Sequence, residues 1–309
     1  MTTSSPASCT PSSETAAGVR IGIDVGGTKA RAVALDAAGV VLAHSELPSG
    51  RGADEVLATV RTTIERLAAA SPDPVESVGI GIPGTIDFDR GVVSHAVNLG
   101  IDELDLAAGI ADLEVGRVSV DNDVNAAALG AFQLLGGGVS SLAYLNVGTG
   151  IAAGLVLGGE LWHGFRGVSG EVGHLGGYGD LLCPCGQIGC LETIASGAGL
   201  ARSTLGTTHP VISLTAAVAA DDPIAIEILA RVAGGVADAA ETLFLVVGVD
   251  LVVLGGGVVH GTPQLAPAVG RILDERAAAS PFLASLSLSE RLTVAPVDLD
   301  IAAMGAAFL

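Results

Sequence analysis

The stretch GIDVGGT at residues 22–28 recurs as YLNVGTG at residues 144–150, and this repeat decides the fold. In both copies an apolar run leads to a polar residue, Asp24 or Asn146, then to a glycine-rich turn and a second apolar run. The pattern predicts two strand–turn–strand hairpins, one in each half of the chain. Chance similarity between glycine-rich hairpins could produce it too, but two matched turns favour a duplicated fold that grips one polyphosphate from two sides.

The first turn continues as DVGGTK and offers groups that suit a phosphate. Adjacent glycines at a strand end expose backbone N–H groups to an anion, and here a hydroxyl and an amine follow them. The candidate residues are Asp24, Gly26, Gly27, Thr28 and Lys29. A plain β-turn explains the same residues, and because no helix is predicted after them this is not the P-loop pattern.

Two further glycine-rich segments are candidates for nucleotide binding. The second copy of the repeat supplies Gly148, Thr149 and Gly150, and a third segment, Gly255, Gly256 and Gly257, follows a predicted buried strand over residues 250–254. Small residues in the third segment would let the backbone lie flat against a planar group such as a nucleobase. An ordinary turn at the end of a strand is an equally plausible interpretation of that segment.

A cysteine-rich stretch at residues 167–192, GVSGEVGHLGGYGDLLCPCGQIGCLE, has the spacing of a metal site. Cys183, Cys185 and Cys190 form C-x-C-x4-C, and His174 precedes them. Three thiolates and one imidazole are the Cys3His set of a structural zinc site, which leaves no open position for water. A disulfide or inert thiols are the alternatives, although Cys183 and Cys185 are too close in sequence to bridge each other without strain.

Two carboxylates flank these ligands, Glu171 before His174 and Glu192 after Cys190. A bound ion would fix the two carboxylates relative to each other, because the neighbours of metal-bound side chains share their rigidity. Positioned carboxylates and an imidazole suit a ligand with several hydroxyls, such as a sugar. Surface carboxylates on a zinc loop are an equally good interpretation of this stretch alone.

The cluster DNDVN at residues 121–125 separates a strand predicted over residues 117–120 from a helix predicted over residues 126–135. Asp and Asn are preferred helix N-caps, which gives the cluster a structural explanation. One cap needs only one such residue, however, and four polar side chains occupy these five positions. Because open α/β sheets bind ligands where a strand ends and a helix begins, the cluster favours function, with one residue able to serve both roles.

Composition narrows the class of protein. The 309 residues allow two domains or one large α/β unit. A formal charge of −19 would repel a phosphate backbone, so nucleic acid is not expected as a partner. The longest apolar candidate, residues 243–259, is broken by Asp250 and three glycines, so no membrane span is expected. Residues 1–18, which include Cys9, read as a disordered leader without a signal peptide, which predicts a cytoplasmic protein.

Six motifs together resemble the ROK family of bacterial sugar kinases and repressors: DVGGTK at 24–29, DNDVNAA at 121–127, NVGTG at 146–150, GEVGH at 170–174, CPCGQIGCLE at 183–192 and LGGG at 254–257. The resemblance implies an α/β, two-domain, actin-like ATPase fold, a duplicated ribonuclease H-like unit with an interdomain cleft and a zinc-bound loop. The expected domains are residues 19–119 and 120–296, with a final helix over 297–309 that returns to the first domain. A homodimer is also implied.

The resemblance also implies roles for individual residues. Asp123 corresponds to the catalytic base and contacts the sugar, while Asn122, Glu171, His174 and Glu192 correspond to other sugar ligands. In the family the histidine of this motif binds zinc and touches the sugar. The backbone of Gly84 is a further candidate sugar contact.

The expected activity is an ATP-dependent transfer of the γ-phosphate to the 6-hydroxyl of a hexose. Glucose is the first choice of substrate, followed by N-acetylglucosamine or N-acetylmannosamine and then fructose. Mg²⁺ would bridge the phosphates and reach Asp24 through water, and zinc would be structural. Family repressors carry a helix-turn-helix before the first strand, where this chain has the unbasic residues 1–18, so a repressor is disfavoured. A binding module that had lost catalysis would be expected to lose the base, yet Asp123 is present.

Overall fold

The computed structural model describes residues 18–202 and 210–309. The predicted leader, apart from Gly18, lies outside the described residues, and so does Cys9. In chain order the strands are β1 Val19–Val25, β2 Lys29–Leu35, β3 Val41–Pro48, β4 Val75–Ile82, β5 Thr85–Asp87, β6 Val92–Ala96, β7 Ile101–Asp105, β8 Arg117–Asn122, β9 Ser141–Val147, β10 Ile151–Leu157, β11 Glu160–Leu161, β12 Leu251–Gly255 and β13 Leu292–Val294.

The described helices are α1 Ala53–Ala70, α2 Leu106–Gly109, α3 Asp123–Leu135, α4 Glu192–Ala195, α5 Gly197–Ala201, α6 Pro210–Ala219, α7 Pro223–Thr242, α8 Gly257–Gly261, α9 Leu265–Ala278, α10 Pro281–Ala284 and α11 Ile301–Ala306. Short 3₁₀ turns lie at Val97–Leu99, Phe165–Gly167, Val172–His174 and Leu288–Arg291, and a π-helical turn, Leu243–Val247, extends α7. None of the described helices is long and apolar enough to cross a membrane.

The two main sheets share one plan, which confirms the predicted duplication. The first has the order β3-β2-β1-β4-β8 and the second the order β11-β10-β9-β12-β13. In each sheet the first three strands are antiparallel and the last two run parallel to the central strand. The repeated stretches therefore occupy equivalent places, the β1–β2 hairpin and the β9–β10 hairpin. A smaller antiparallel sheet, β5-β6-β7, extends the first half.

Most predicted elements are present, and the differences have local causes. The predicted helix over 126–135 begins earlier, at Asp123, because the Asn122 side chain accepts a hydrogen bond from the backbone N–H of Val124 and so caps it. Residues 192–202, whose composition is typical of a helix, do not form one continuous helix. Ser196 has an extended backbone and caps a new helix through its hydroxyl, which divides the segment into α4 and α5. Residues 203–205 lie outside the described residues.

Small residues bring the last helix close to both halves of the chain. Helix α11 packs on α3 and against β1 and β4. A Cβ atom on Gly22 would lie 1.9 Å from the carbonyl oxygen of Ala303, and one on Gly79 would lie 1.7 Å from that of Ala306. Glycine at these positions is therefore what allows the backbones to touch. The domain division at residues 119/120 and 296/297 stays a prediction; β8, residues 117–122, pairs with the first sheet.

Replacing Gly305 with alanine should destabilise the chain, because the new Cβ atom would lie 1.8 Å from the carbonyl oxygen of Ala126 in α3. We expect a loss of about 1–3 kcal/mol in the free energy of unfolding, measured by urea denaturation. The matched control is Gly234→Ala in α7, where a Cβ atom would meet nothing within 4 Å. The control should be neutral or up to about 1 kcal/mol more stable because alanine favours the helix. Equal stability of the two variants would contradict this packing.

Candidate active site

The junction of β8 and α3 gives the polar residues of the DNDVN cluster different roles. Asp121 is buried, and its Oδ1 accepts hydrogen bonds from the Asn122 backbone (2.7 Å) and from Nδ2 of Asn125 (2.8 Å). Its Oδ2 lies 2.7 Å from Nε2 of His163. Asn122 provides the helix cap. The prediction that one residue in the cluster acts as a cap is thus confirmed, and Asp121 is a structural carboxylate with partners on both oxygens.

Asp123 lines a cavity of about 360 Å³, whereas Asp121 lines a different one beside Phe88 and His163. Asp123 begins α3, and its Oδ1 accepts a hydrogen bond from the backbone N–H of Val124 at 3.1 Å. Burial raises the pKa of the Asp123 carboxyl, and the hydrogen bonds from the backbone oppose that rise only in part. A carboxyl whose pKa is raised toward neutrality is suited to accept a proton from a hydroxyl group.

Two cavities meet at this junction. The larger, of about 360 Å³, is lined by Asp24, Asp123, Asn146, Gly256 and Gly257 among others. The smaller, of about 280 Å³, is lined by Gly84, Asn122, Glu171 and His174 among others. Val124 lines both, so the first turn of α3 forms the partition between them. The geometry thus brings predicted nucleotide-site residues to one side of α3 and predicted sugar ligands to the other.

Position 84 needs a glycine for two reasons: its backbone conformation and the lack of room for a Cβ atom. Its φ of +121° is a conformation that side chains with a Cβ rarely adopt, and a Cβ atom there would lie 2.8 Å from the carbonyl oxygen of Ser94. The smaller cavity therefore has a wall of bare backbone at this point.

The Cys3His set predicted from sequence comes together in space. The four ligand atoms of His174, Cys183, Cys185 and Cys190 lie within 4.8 Å of one another. The sulfur atoms of Cys185 and Cys190 are 3.6 Å apart, close to the ~3.8 Å that a tetrahedron with 2.3 Å zinc–sulfur bonds requires. This separation is far longer than a disulfide bond, and the three cysteines are free. These residues fit a zinc ion.

The chemistry of the buried thiol supports the same interpretation. Burial, and then the contact with Glu192, raise the pKa of the Cys183 thiol to about 12. Near neutral pH only a bound cation would hold this sulfur as a thiolate, which is the form that ligates a metal.

His174 connects the thiol cluster to the smaller cavity. Its Nδ1 lies 3.8 Å from Sγ of Cys183, and its Nε2 lies 3.6 Å from Oε2 of Glu171, which lines the cavity. One ring nitrogen thus faces the candidate metal and the other faces the candidate sugar site. Glu192 differs, because its Oε1 lies 2.9 Å from Sγ of Cys183 and it is not among the residues that line the cavity. Its role as a sugar ligand stays a prediction.

Each of the two predicted phosphate turns is closed by a backbone hydrogen bond, but the first turn is one residue longer than the second. The N–H of Gly26 donates to the carbonyl of Lys29, and the N–H of Gly148 donates to that of Gly150, each at 3.0 Å. The turn glycines do not line the larger cavity, which reaches the second hairpin at Asn146. Lys29 forms a half-exposed ion pair with Glu46 at 2.5 Å. The phosphate-binding roles of residues 26–29 and 148–150 stay predictions.

Sequence reasoning missed several residues of the two cavities. Arg31 and Asp300 line the larger cavity, with Nε of Arg31 3.7 Å from Oδ1 of Asp300. Because side chains alternate along a strand, the sequence could have placed Arg31 on the same face of β2 as Lys29. Arg31 is paired in register with Asp24 of β1. Arg166 lines the smaller cavity with a φ of +54°, which the sequence does not signal because a non-glycine residue rarely adopts it.

Burial, and then the negative charge of Asp123, raise the pKa of the Asp24 carboxyl to about 7. Between about pH 4 and pH 7 the folded chain therefore holds a proton that the unfolded chain has released. Stability contributed by this group is lost as the pH rises through that range. We expect Asp24→Asn to be more stable than wild type at pH 8, by about 1–3 kcal/mol after allowance for solvent screening, and equal to it near pH 4.

Urea unfolding of both proteins across this pH range measures the effect. Asp102→Asn, on an exposed position of β7, is the control and should keep the wild-type pH slope. An Asp24→Asn protein with the wild-type pH slope would show that Asp24 titrates normally in the folded chain.

The chain is similar to several known sugar kinases. A family profile described as the ROK family matches residues 20–309. The glucokinase of Halalkalibacterium halodurans is 31% identical over 263 residues, 77% of this chain and 80% of the relative. The N-acetylmannosamine kinase of Yersinia pseudotuberculosis is 30% identical over 248 residues, 78% of this chain and 83% of the relative. The structure of a ROK family glucokinase from Streptomyces griseus, in complex with glucose and AMPPNP, is similar with a TM-score of 0.73 and 26% identity, covering 94% of this chain and 98% of that chain.

The duplicated sheets, the paired cavities and the kinase relatives together define a sugar kinase with the actin-like ATPase fold. The chain belongs to the ROK family. The resemblance found from the six motifs is thereby confirmed, as is the expectation of an enzyme.

Proposed function

We propose that the protein is an ATP-dependent hexose kinase that transfers the γ-phosphate to the sugar 6-hydroxyl, with glucose as its substrate. The observation that carries the proposal is the position of Asp123, which lines the larger cavity at the first turn of α3, while its neighbours Asn122 and Val124 line the smaller one. A donor in the larger cavity and an acceptor in the smaller one would face each other across this turn. The glucose and AMPPNP in the Streptomyces griseus relative support this pair of ligands.

Asp123 accepts the proton of the 6-hydroxyl as that oxygen attacks the γ-phosphorus, and the bond from the γ-phosphorus to the bridging oxygen of ADP breaks. Burial raises the pKa of the Asp123 carboxyl, and a carboxylate with a raised pKa is a stronger base for this proton transfer. Phosphoryl transfer passes through a loose transition state, so positioning and electrostatics carry most of the catalysis. Asn122, Glu171 and His174 would orient the sugar hydroxyls on the other side of α3.

Mg²⁺, when bound, would neutralise charge on the phosphates, and Asp24, which lines the larger cavity, would hold it through water. The glycines of the two hairpins and residues 255–257 would hold the phosphates and the base of ATP. Zinc, when held by His174 and the three cysteines, would be structural, because four protein ligands leave no site for substrate. Free thiols at these positions suit a reducing compartment, which supports a cytoplasmic location. The homodimer implied by the family can be tested by sedimentation velocity.

The alternative substrates belong to the same reaction class. The Yersinia pseudotuberculosis relative favours N-acetylmannosamine as the second candidate, with N-acetylglucosamine and fructose after it. A sugar-responsive repressor is disfavoured by the kinase relatives and by the presence of Asp123. A coupled ADP-release assay against glucose, the two N-acetylhexosamines, mannose and fructose tests the proposal. The highest kcat/KM should belong to glucose; turnover of N-acetylmannosamine above glucose would replace the substrate, and no turnover of any sugar would contradict the proposed function.

A further inference from the structure

A histidine outside the smaller cavity contacts the segment that carries Asp123. His163 lies in the loop that follows β11 in the second half of the chain, and its Nε2 lies 2.7 Å from Oδ2 of Asp121 at the end of β8 in the first half. Asp121 is 5% exposed, and its other oxygen holds the backbone N–H of Asn122 and the side chain of Asn125. The contact therefore joins the second half of the chain to the residues directly before the proposed base.

The same histidine also contacts two walls of the smaller cavity. Its ring packs on Phe88, with ring centroids 4.2 Å apart, and Phe88 lines that cavity from the first half. Its backbone carbonyl accepts a hydrogen bond from the N–H of Ser169 at 3.1 Å. That bond closes the loop of residues 163–169, from which Arg166 and Ser169 line the cavity. His163 thus touches three segments that must be aligned for a sugar to meet Asp123.

We propose that His163 is a positioning residue for phosphoryl transfer. By donating its Nε2–H to Asp121, it holds Asn122 and Asp123 in position relative to the residues that line the smaller cavity. The inference rests on the proposed function, because it takes Asp123 as the base. Without the donor, a buried carboxylate oxygen of Asp121 would lose its partner, and the β8–α3 junction would shift to regain water or another donor. Small displacements of reacting groups have large effects on rate.

The protonation state of the histidine does not decide whether the bond forms. The hydrogen bond with Asp121 raises the pKa of His163, so the charged form is favoured, but the neutral ring with its proton on Nε2 donates to Asp121 as well. The proposal therefore predicts that a neutral side chain with a donor at the position of Nε2 is sufficient.

Two amide variants separate the donor from the ring. In His163→Gln the amide nitrogen reaches the position of Nε2, whereas in His163→Asn it corresponds to Nδ1 and falls short of Asp121. We expect His163→Asn to lower kcat/KM for the hexose by about 10- to 100-fold, through both kcat and the hexose KM, with an ATP KM within about twofold of wild type. His163→Gln should retain most of the activity. His95→Ala, at an exposed histidine of β6, is the control and should match wild type.

The outcomes are decisive in either direction. Wild-type kinetics in His163→Asn would overturn the proposal, and so would a His163→Gln protein as impaired as His163→Asn, because the ring rather than the donor would then matter. Equal losses for hexose and ATP with a lowered melting temperature would show general loosening and also overturn it. The variant Asp123→Asn is measured alongside. If it stays active, the proposed base is wrong, whereas its inactivity together with unchanged His163→Asn kinetics contradicts the positioning role alone.

Discussion

Replacing Asp123 with asparagine should abolish nearly all phosphoryl transfer while the protein still folds and binds its hexose. Asparagine keeps the shape of the side chain and an oxygen that can accept the hydrogen bond from Val124, so the first turn of α3 is preserved. It cannot accept a proton from the sugar hydroxyl. General-base catalysis contributes about 10²- to 10⁴-fold in rate, and we expect kcat to fall by that factor.

Steady-state kinetics and calorimetric titration of the hexose measure the two halves of this prediction. Asp102→Asn, an exposed carboxylate of the same half, is the control and should retain wild-type kcat. A kcat for Asp123→Asn within tenfold of wild type would move the role to another group. Asp121, the nearest carboxylate in sequence, is a poor substitute because both its oxygens already have partners.

Loss of the zinc ion should weaken hexose binding and spare ATP binding. Cys185 is exposed, so Cys185→Ser removes a metal ligand without leaving a cavity in the core. Glu171 and His174 lie beside the metal cluster and line the smaller cavity, so the ion fixes their positions. Ordering two residues without it would cost about 2–4 kcal/mol of backbone entropy, a weakening of about 30- to 1000-fold in hexose affinity.

Metal analysis and separate titrations with hexose and ATP measure this effect. Wild type stripped of metal should regain hexose affinity when zinc is restored, whereas Cys185→Ser should not. His174→Ala should bind hexose more weakly than Cys185→Ser, because it deletes both a metal ligand and a side chain of the cavity. A zinc-free protein with unchanged hexose affinity would show that the metal and the sugar site are independent.

The parts of the fold that sequence predicted are those fixed by local patterns. The two hairpins follow from the apolar–polar–glycine order of residues 22–28 and 144–150. The candidate zinc ligands are close together in sequence and lie in the same loop. Each of these features depends on residues close in sequence, and each is present as predicted.

The parts that sequence left open depend on contacts between distant residues. Residue types alone do not distinguish Asp121 from Asp123, and the family resemblance gave Asp121 no role. Its structural role depends on His163, which approaches it from the other half of the chain. The break between α4 and α5 comes from the extended backbone of Ser196, in a segment whose composition reads as helix. Glu192 reads like Glu171 in sequence, but only the structure places it against Cys183.

A crystal structure of the protein with a hexose and a non-hydrolysable ATP analogue tests most directly whether Asp123 stands between donor and acceptor. We predict the sugar in the smaller cavity against Asn122 and His174, with its 6-hydroxyl about 2.6–3.2 Å from a carboxylate oxygen of Asp123. The γ-phosphate should lie in the larger cavity on the other side of α3. A hexose bound elsewhere, or one whose 6-hydroxyl cannot reach Asp123 even through one water, would contradict the proposed mechanism.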